Sequence, residues 1–436
     1  MSASFLQELE LPPVRPGADE PGWLSALRRR AMDRFVETGL PTTRDEDWKF
    51  TSVSAIGQGA FSRPDPNAVY AASRASLHGL QFGVPEWSEL VFINGRFSAE
   101  LSNLPDPSRG ISAQSLSTVL LESPGLLEAE LARVVPIDQA FSALNTAFMA
   151  DGAVIRVAPR VQAPGLIHLL FLTDASAGPI VTYPRILIVA GESSDVSVVE
   201  TYASLTSDVY FTNAVTEVIV GQNARVEHIK IQRESERAFH VGTVEARQTR
   251  DTRFRSFSFA IGGALARTNI YSVMQGENAD CTMNGLYLLH GTQHIDHQTR
   301  IEHAEPNCTS REVYKGVLDG TSHGVFNGKV FVRPEAQKTD GKQTNKNLLL
   351  SEGAKIDTKP QLEIFADDVK CTHGATVGRL DEIGMFYLES RGIGAALARR
   401  LLTYGFAADV LAEVTQDPVR AQLERLVFER LETSVR

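Results

Sequence analysis

"IVAGESSDVSVVE", residues 188–200, runs from an apolar segment through a glycine turn and back into an apolar segment. The same order returns in "VIVGQNARVEHIK" (218–230) and in "VMQGENADCTMNG" (273–285). Each reads apolar, apolar, turn, polar, small, then strand again. Between and beyond these copies lie further short strands such as "RFRSFSFAI" (253–261), "GKVFV" (328–332) and "QLEIFAD" (361–367). In the first of them Phe257, Phe259 and Ile261 share one face while Ser258 and Ala260 take the other. Turn signals recur at Gly191, Gly221, Arg250-Asp251, Gly276, Pro306-Asn307, Gly320 and Gly353; apart from the short step to Gly320 they lie 26 to 33 residues apart. Almost no helical period interrupts them from residue 151 to about 378. A β-sandwich also has short strands but ordinarily closes in about 100 residues. Strand-turn repetition over twice that length argues for a solenoid, whose coils bury their faces only against the coils stacked on them. The expected class is mainly β, with a β-helix core.

Outward from that core the pattern changes on both sides. Toward the N-terminus, "PGWLSALRRRAMDRFVETGLP" puts Leu24, Leu27, Ala31 and Phe35 at helical spacing, with Gly39 and Pro41 as the stop. "VFINGRFSAEL" reads as a hairpin turning at Asn94 and Gly95. Residues 115–150 read as helical. Past residue 380 the Ala- and Leu-rich "RGIGAALARRLLTYGFAADVLAEV" is helical again. In "DPVRAQLERLVFERLE", Asp417 is placed as N-cap and Pro418 at the first helical position. Val419, Leu423, Leu426, Val427 and Leu431 then form one stripe. Three regions follow: a mainly helical 1–150, a β-helix over 151–380 and a helical 381–436.

The totals narrow the function classes. The 436 residues are 43% hydrophobic, so a large core is available, and the net charge of −10 shows no basic stripe for nucleic acid. No apolar run reaches the 18 or so residues of a membrane span. "MSASFLQELELPPVRPG" (1–17) has no basic start followed by an apolar run, so no export signal is read there. Three cysteines, Cys281, Cys308 and Cys371, make no disulfide framework, which suits reduced thiols in the cytoplasm.

Several motifs carry more than one reading. "RGIGAALA" holds Gly392 and Gly394, but Leu397 stands where a dinucleotide fingerprint needs Gly or Ala, so a glycine-opened helix is expected. His290, His294, His297 and His303 fall within fourteen residues. They read either as metal ligands or as polar rungs on the surface of the solenoid, the second being favoured. Lys338, Lys342 and Lys346 are evenly spaced in "EAQKTDGKQTNKN", read as a solvated turn rather than a phosphate loop. In "DDVKCTHGATVG" (367–378), strand alternation puts Val369, Cys371, His373, Ala375 and Val377 on one face and Lys370, Thr372 and Thr376 on the other. Cys371 and His373 can then reach one metal atom or cluster, but a packed buried pair fits the same spacing.

"SREVYKGVLDGTSHGVFNGKVFVRPEAQKTDGKQTNKNLLLSEGAKIDTKPQLEIFADDVKCTHGATVG" (310–378), with "DEIGMFYLESRGI", "LLTYGF" and the upstream "RDEDWKFTSV", resembles the core of the SufB/SufD scaffolds of iron–sulfur cluster assembly. Within that family "CTHGAT" and the absence of a cysteine from "KQTNKNLLLSEGA" resemble the SufD form. The resemblance implies a right-handed β-helix and a non-catalytic scaffold, with ATPase activity in the partner. It implies a complex with a SufB-like scaffold and a SufC-like ABC ATPase. The end coil of a β-helix has unpaired backbone groups, so one edge is expected to pair with a homologous β-helix, or with a second copy of this chain when isolated. The residues corresponding to Cys371 and His373 are implicated at a shared cluster-assembly site, holding iron or a transient iron–sulfur cluster that this chain alone does not bind tightly. Phe386, Tyr387, Arg391, Leu401, Leu402 and Phe406 fall in the region expected to dock the ATPase. Two other readings remain for a β-helix: a polysaccharide-acting enzyme, and a purely structural solenoid.

Overall fold

The computed structural model describes residues 20–65 and 72–433. The segment 1–17, read above as lacking an export signal, lies outside the described residues. Two long sheets face each other, and the chain from β7 onward passes between them strand by strand. One sheet comprises β1 (Ser88–Ile93), β2 (Arg96–Phe97), β5 (Ile167–Thr173), β8 (Asp195–Ser204), β10 (Arg225–Arg233), β12 (Arg253–Ala260), β14 (Asp280–Leu289), β16 (Thr309–Leu318), β18 (Thr339–Leu349) and β20 (Val369–Gly378). The other comprises β3 (Ile111–Ser115), β4 (Gly152–Val157), β7 (Arg185–Ala190), β9 (Phe211–Val220), β11 (Phe239–Gln248), β13 (Leu265–Met274), β15 (His294–His303), β17 (His323–Val332) and β19 (Lys355–Ile364), with β6 (Val181–Thr182) beside β9. Coil stacks on coil in parallel, and among the strands of the described residues only the β1–β2 hairpin and the β3–β4 pair are antiparallel. This is the β-solenoid the repeats call for.

Strand parity sorts the side chains. Val226, Phe254, Cys281 and Tyr314 point between the sheets into the main core. Ile229, Phe257, Leu286 and Val317, of opposite parity, point outward. Because parallel partners share a face, each interior position is one step in a row along the solenoid. Phe254, Cys281, Ser310, Gly341 and Cys371 make one row; Ser256, Met283, Glu312, Gln343 and His373 make the next.

One corner is a ladder of left-handed residues. Ser193, Asn223, Asp251, Asn278, Asn307 and Lys338 have φ between 57° and 62°. Each donates its N–H to a carbonyl of the following coil, as in Ser193 to Gln222 at 2.8 Å and Asn307 to Gln337 at 2.9 Å. Asn and Asp tolerate this conformation because their short polar side chains bond locally. The glycines read as turns at 191, 221 and 276 each lie two residues before a ladder residue.

The flanks are helical and also contribute to the sheets. Helix α1 (Gly22–Thr38) buries Leu24, Leu27, Ala31 and Phe35, and Gly39 follows it at φ 63°. Helices α2 (Ser54–Gln58), α3 (Leu116–Glu122) and α4 (Ala140–Phe148) follow. Ahead of residue 151 the strands β1 to β3 also extend both sheets, since β1 pairs with β5 and β3 with β4. After the solenoid come α5 (Glu382–Ser390), α6 (Ala395–Leu411) and α7 (Asp417–Thr433). Val419, Leu423, Leu426, Val427 and Leu431 all bury against Ile229, Phe257, Phe259, Leu286 and Leu288 on the outer face of the first sheet. Helix α7 begins at Asp417 itself, one residue earlier than expected. Among the described residues no helix is long and apolar enough to cross a membrane.

Candidate functional site: the open end of the solenoid

At their C-terminal ends the two sheets stop on β19 and β20. Neither has a strand beyond it, so each carries one row of backbone groups with no ladder partner. β20 is exposed along most of its length, its Val377 included, and Ile364 and Phe365 stand open beside it. Apolar side chains and free edges thus lie together at this end of the solenoid.

Cys371 and His373 lie on that edge strand. Cys371 is in register with Gly341 and His373 with Gln343, so both continue interior rows to the place where the interior opens. Cys371 is half-buried beside Val330, Val332 and Ala366, and His373 is exposed. Within the chain by itself the two side chains are therefore not a fully packed pair. The Cys371 thiol is pushed above its usual range by burial; the Gly341 backbone opposes this and Asp340 adds to it. Lys370 is in register with Asp340 on the outer face, away from the thiol.

The other two cysteines are closed off. Burial drives the Cys281 thiol well up, and pushes Cys308 up to about 11. Both are fully buried. Among the described residues no group of three or more His, Cys, Asp and Glu side chains could hold a metal ion. An all-cysteine cluster needs four thiolates. This chain supplies one accessible thiol and one imidazole, a donor set that fits iron or a cluster only when other ligands complete it.

The four clustered histidines do not converge. His290 sits in a turn against Glu236 and Arg430. His294 lies on the outer face of the second sheet, 2.8 Å from the Thr51 hydroxyl and against the His323 ring. His297 and His303 have the opposite parity and are buried inside, His297 stacked on Tyr287 and His303 bonded to Ser310. Burial lowers His294, His297 and His303 to about 4. The expectation of surface rungs is thus corrected for His297 and His303, which line the interior.

The three lysines are corrected as well. "EAQKTDGKQTNKN" is not one solvated turn: Lys338 is the corner residue, paired with Asp368, and β18 then runs through Lys342 and Lys346 on its outer face. Its inward residues are Gln343, Asn345 and Asn347, and this polar interior hid the strand. Gly392 and Gly394 join α5 to α6, so a helix precedes the motif where a dinucleotide site needs a strand.

The C-terminal candidates divide. Phe386 is 72% and Tyr387 57% exposed, beside the equally open Ile383, and Arg391 lies over the Tyr387 ring. Leu401 is exposed and Leu402 half-buried. Phe406 packs against the solenoid and accepts a 2.7 Å bond from Lys315 through its carbonyl. Glu312 and Gln343, absent from the sequence-based candidates, stand directly behind His373. The signal that finds them is register: each is one coil, about thirty residues, from the next.

Two family descriptions match nearly the whole chain: "SUF system FeS cluster assembly, SufBD core domain" over residues 171–406, and "SufBD protein N-terminal region" over residues 18–169. The iron–sulfur cluster assembly protein SufD of Escherichia coli is 32% identical over 416 residues, spanning 93% of each chain. A SufBD family protein of Synechocystis is 35% identical over 413 residues, 92% of this chain and 89% of its own. SufD of Bacillus subtilis is 27% identical over 434 residues, 94% of each.

Proposed function

The chain belongs to the SufBD family of iron–sulfur cluster assembly proteins, and on that premise we propose that it is the SufD-type subunit of a cytoplasmic assembly complex. Its open end pairs with the β-solenoid of a SufB-like scaffold, or with a second copy of this chain when isolated. Cys371 and His373 supply part of the ligand set for iron or a nascent cluster, which is cargo. The exposed face of α5, with Phe386 and Tyr387, docks a SufC-like ABC ATPase, and the chain itself catalyses no reaction.

The observation that carries this reading is the coincidence of three features at one end. β19 and β20 each have one edge without a strand neighbour among the described residues, apolar side chains surround them, and the accessible thiol and imidazole sit on β20. A permanent cluster site would be enclosed and fully ligated. A two-ligand site on a pairing edge suits a cluster that is built there and handed on, since incomplete ligation leaves cluster atoms open to transfer. Neutral imidazole ligates iron near neutral pH, and the raised Cys371 thiol must lose its proton to do so.

The test is His373→Ala and Cys371→Ser, made separately in the complete complex under anaerobic conditions. Complex formation and cluster yield are both scored. The expected result is an intact complex with cluster yield lost. Full yield from both variants would remove the pair from the mechanism. Docking is tested by Phe386→Asp with Tyr387→Ala, which should abolish ATPase binding while scaffold pairing persists. Deleting the C-terminal helices would be a poor substitute, because it uncovers Phe257, Phe259, Leu286 and Leu288.

A further inference from the structure

The interior of the solenoid is mostly closed by hydrophobic side chains, yet the row ending at His373 becomes polar over its last steps. Glu312 and Gln343 are 2% and 1% exposed. Gln343 donates from Nε2 to Glu312 Oε2 at 2.7 Å. Among the described residues Gln343 Oε1 has no hydrogen-bond partner. Space for this amide is reserved from the opposite sheet: a Cβ on Gly328 would lie 2.3 Å from Gln343 Nε2. A buried amide oxygen left unpaired costs about 1–3 kcal/mol, so it calls for an explanation. The next residue along the row, on the adjacent strand roughly 4.8 Å away, is His373.

We propose that Glu312 and Gln343 position His373 for ligation: Glu312 holds the amide, and the Gln343 carbonyl oxygen receives the imidazole N–H, leaving the other ring nitrogen for iron. This rests on the reading of Cys371 and His373 as the assembly site. A carboxylate only accepts, so an ionised Glu312 keeps the amide nitrogen toward itself and turns the oxygen away. An imidazole that binds a metal through one nitrogen almost always donates the other N–H to a carbonyl or carboxylate. Gln343 is the buried acceptor next in register, and its oxygen has no other partner among the described residues. Both are positioning residues, since neither touches the cargo.

The experiment uses the full chain, ¹⁵N-labelled at histidine, at pH 8, alone and with its partner scaffold. Zinc ion serves as a diamagnetic probe, and His373→Ala assigns the signal. In the wild type, zinc should shift the His373 nitrogens and leave one ring N–H protected from exchange. Gln343→Met should lose that protected N–H and weaken zinc binding by roughly 10–100-fold. Glu312→Gln, which still offers an acceptor to the amide, should keep both. The double variant Glu312→Met with Gln343→Met removes the buried pair together, and so covers the case in which Gln343→Met leaves Glu312 stranded and unfolds the chain. A wild-type zinc shift with the same N–H and affinity in the Gln343 variants would overturn the positioning role while sparing the site. No zinc response at His373, free or in the complex, would overturn both.

Discussion

Glu312 has one carboxyl oxygen bonded to Gln343, and burial pushes its pKa up to about 7. The unfolded carboxyl titrates near its ordinary 4.5. A raised acid is penalised as it ionises in the folded state, so the folded chain holds the proton where the unfolded chain has lost it. Stability therefore falls as pH rises from about 4.5 to about 7, by about 3 kcal/mol for this group once complete. Glu312→Gln should match the wild type near pH 4 and exceed it at pH 8, read as urea midpoints at the two values. An equal gap at both would mean that the carboxyl is not the source. At this scale the sequence is legible in part. Alternation alone puts Cys371 and His373 on one face, and the structure keeps them there. It cannot say that this face looks into an opening interior, because that depends on which coil is last. The histidines show the same limit: spacing groups four of them, and parity sends His297 inward and His294 outward.

Among the elements, strands with an apolar interior and helices with an apolar stripe announce themselves. The α7 stripe from Val419 to Leu431 is complete because one face must cover the first sheet. β18 was hidden because its inward side chains are polar, Gln343 bonded to Glu312, Asn345 to Tyr287 and Asn347 to Asn345, so alternation of apolar and polar residues is missing. The corners are read by their chemistry, with Asn and Asp on one side and glycine on the other. Gly320, at φ +70°, stacks on Gly291: a Cβ there would lie 2.8 Å from the Gly291 backbone nitrogen. Gly320→Ala should cost about 1–2 kcal/mol from the left-handed conformation, with the contact adding to it. A thermal or urea midpoint checks this, and an unchanged midpoint would show that the corner relaxes freely.

For the whole molecule, what matters is that a solenoid is held coil to coil, so its last coil is unfinished until something covers it. Here the unfinished coil is also where the accessible thiol and imidazole lie; on the function proposed above, assembly of the complex is thereby coupled to completion of the ligand set. Backbone direction gives a way to separate the two. In the preceding coils of the first sheet, an N–H at the start of the strand bonds back to the coil before, from residues that share one register row: Asp280 to Thr252, Thr309 to Ala279 and Asp340 to Cys308. Continued into β20, that alternation turns Lys370, Thr372, Gly374 and Thr376 toward β18. The N–H groups of Cys371, His373, Ala375 and Val377 then face the free edge. Ala375→Pro thus removes an edge donor without breaking the ladder to β18, a position where proline is tolerated in sheets. It should weaken pairing of the chain with its partner by roughly tenfold, the worth of a lost hydrogen bond, while its own melting temperature changes little. Pairing measured by analytical ultracentrifugation at unchanged affinity, with the fold intact, would show that the partner does not add a strand to β20. Weakened pairing together with lower cluster yield, in a variant that keeps both Cys371 and His373, would show that the ligands work only when the solenoid is completed across its edge.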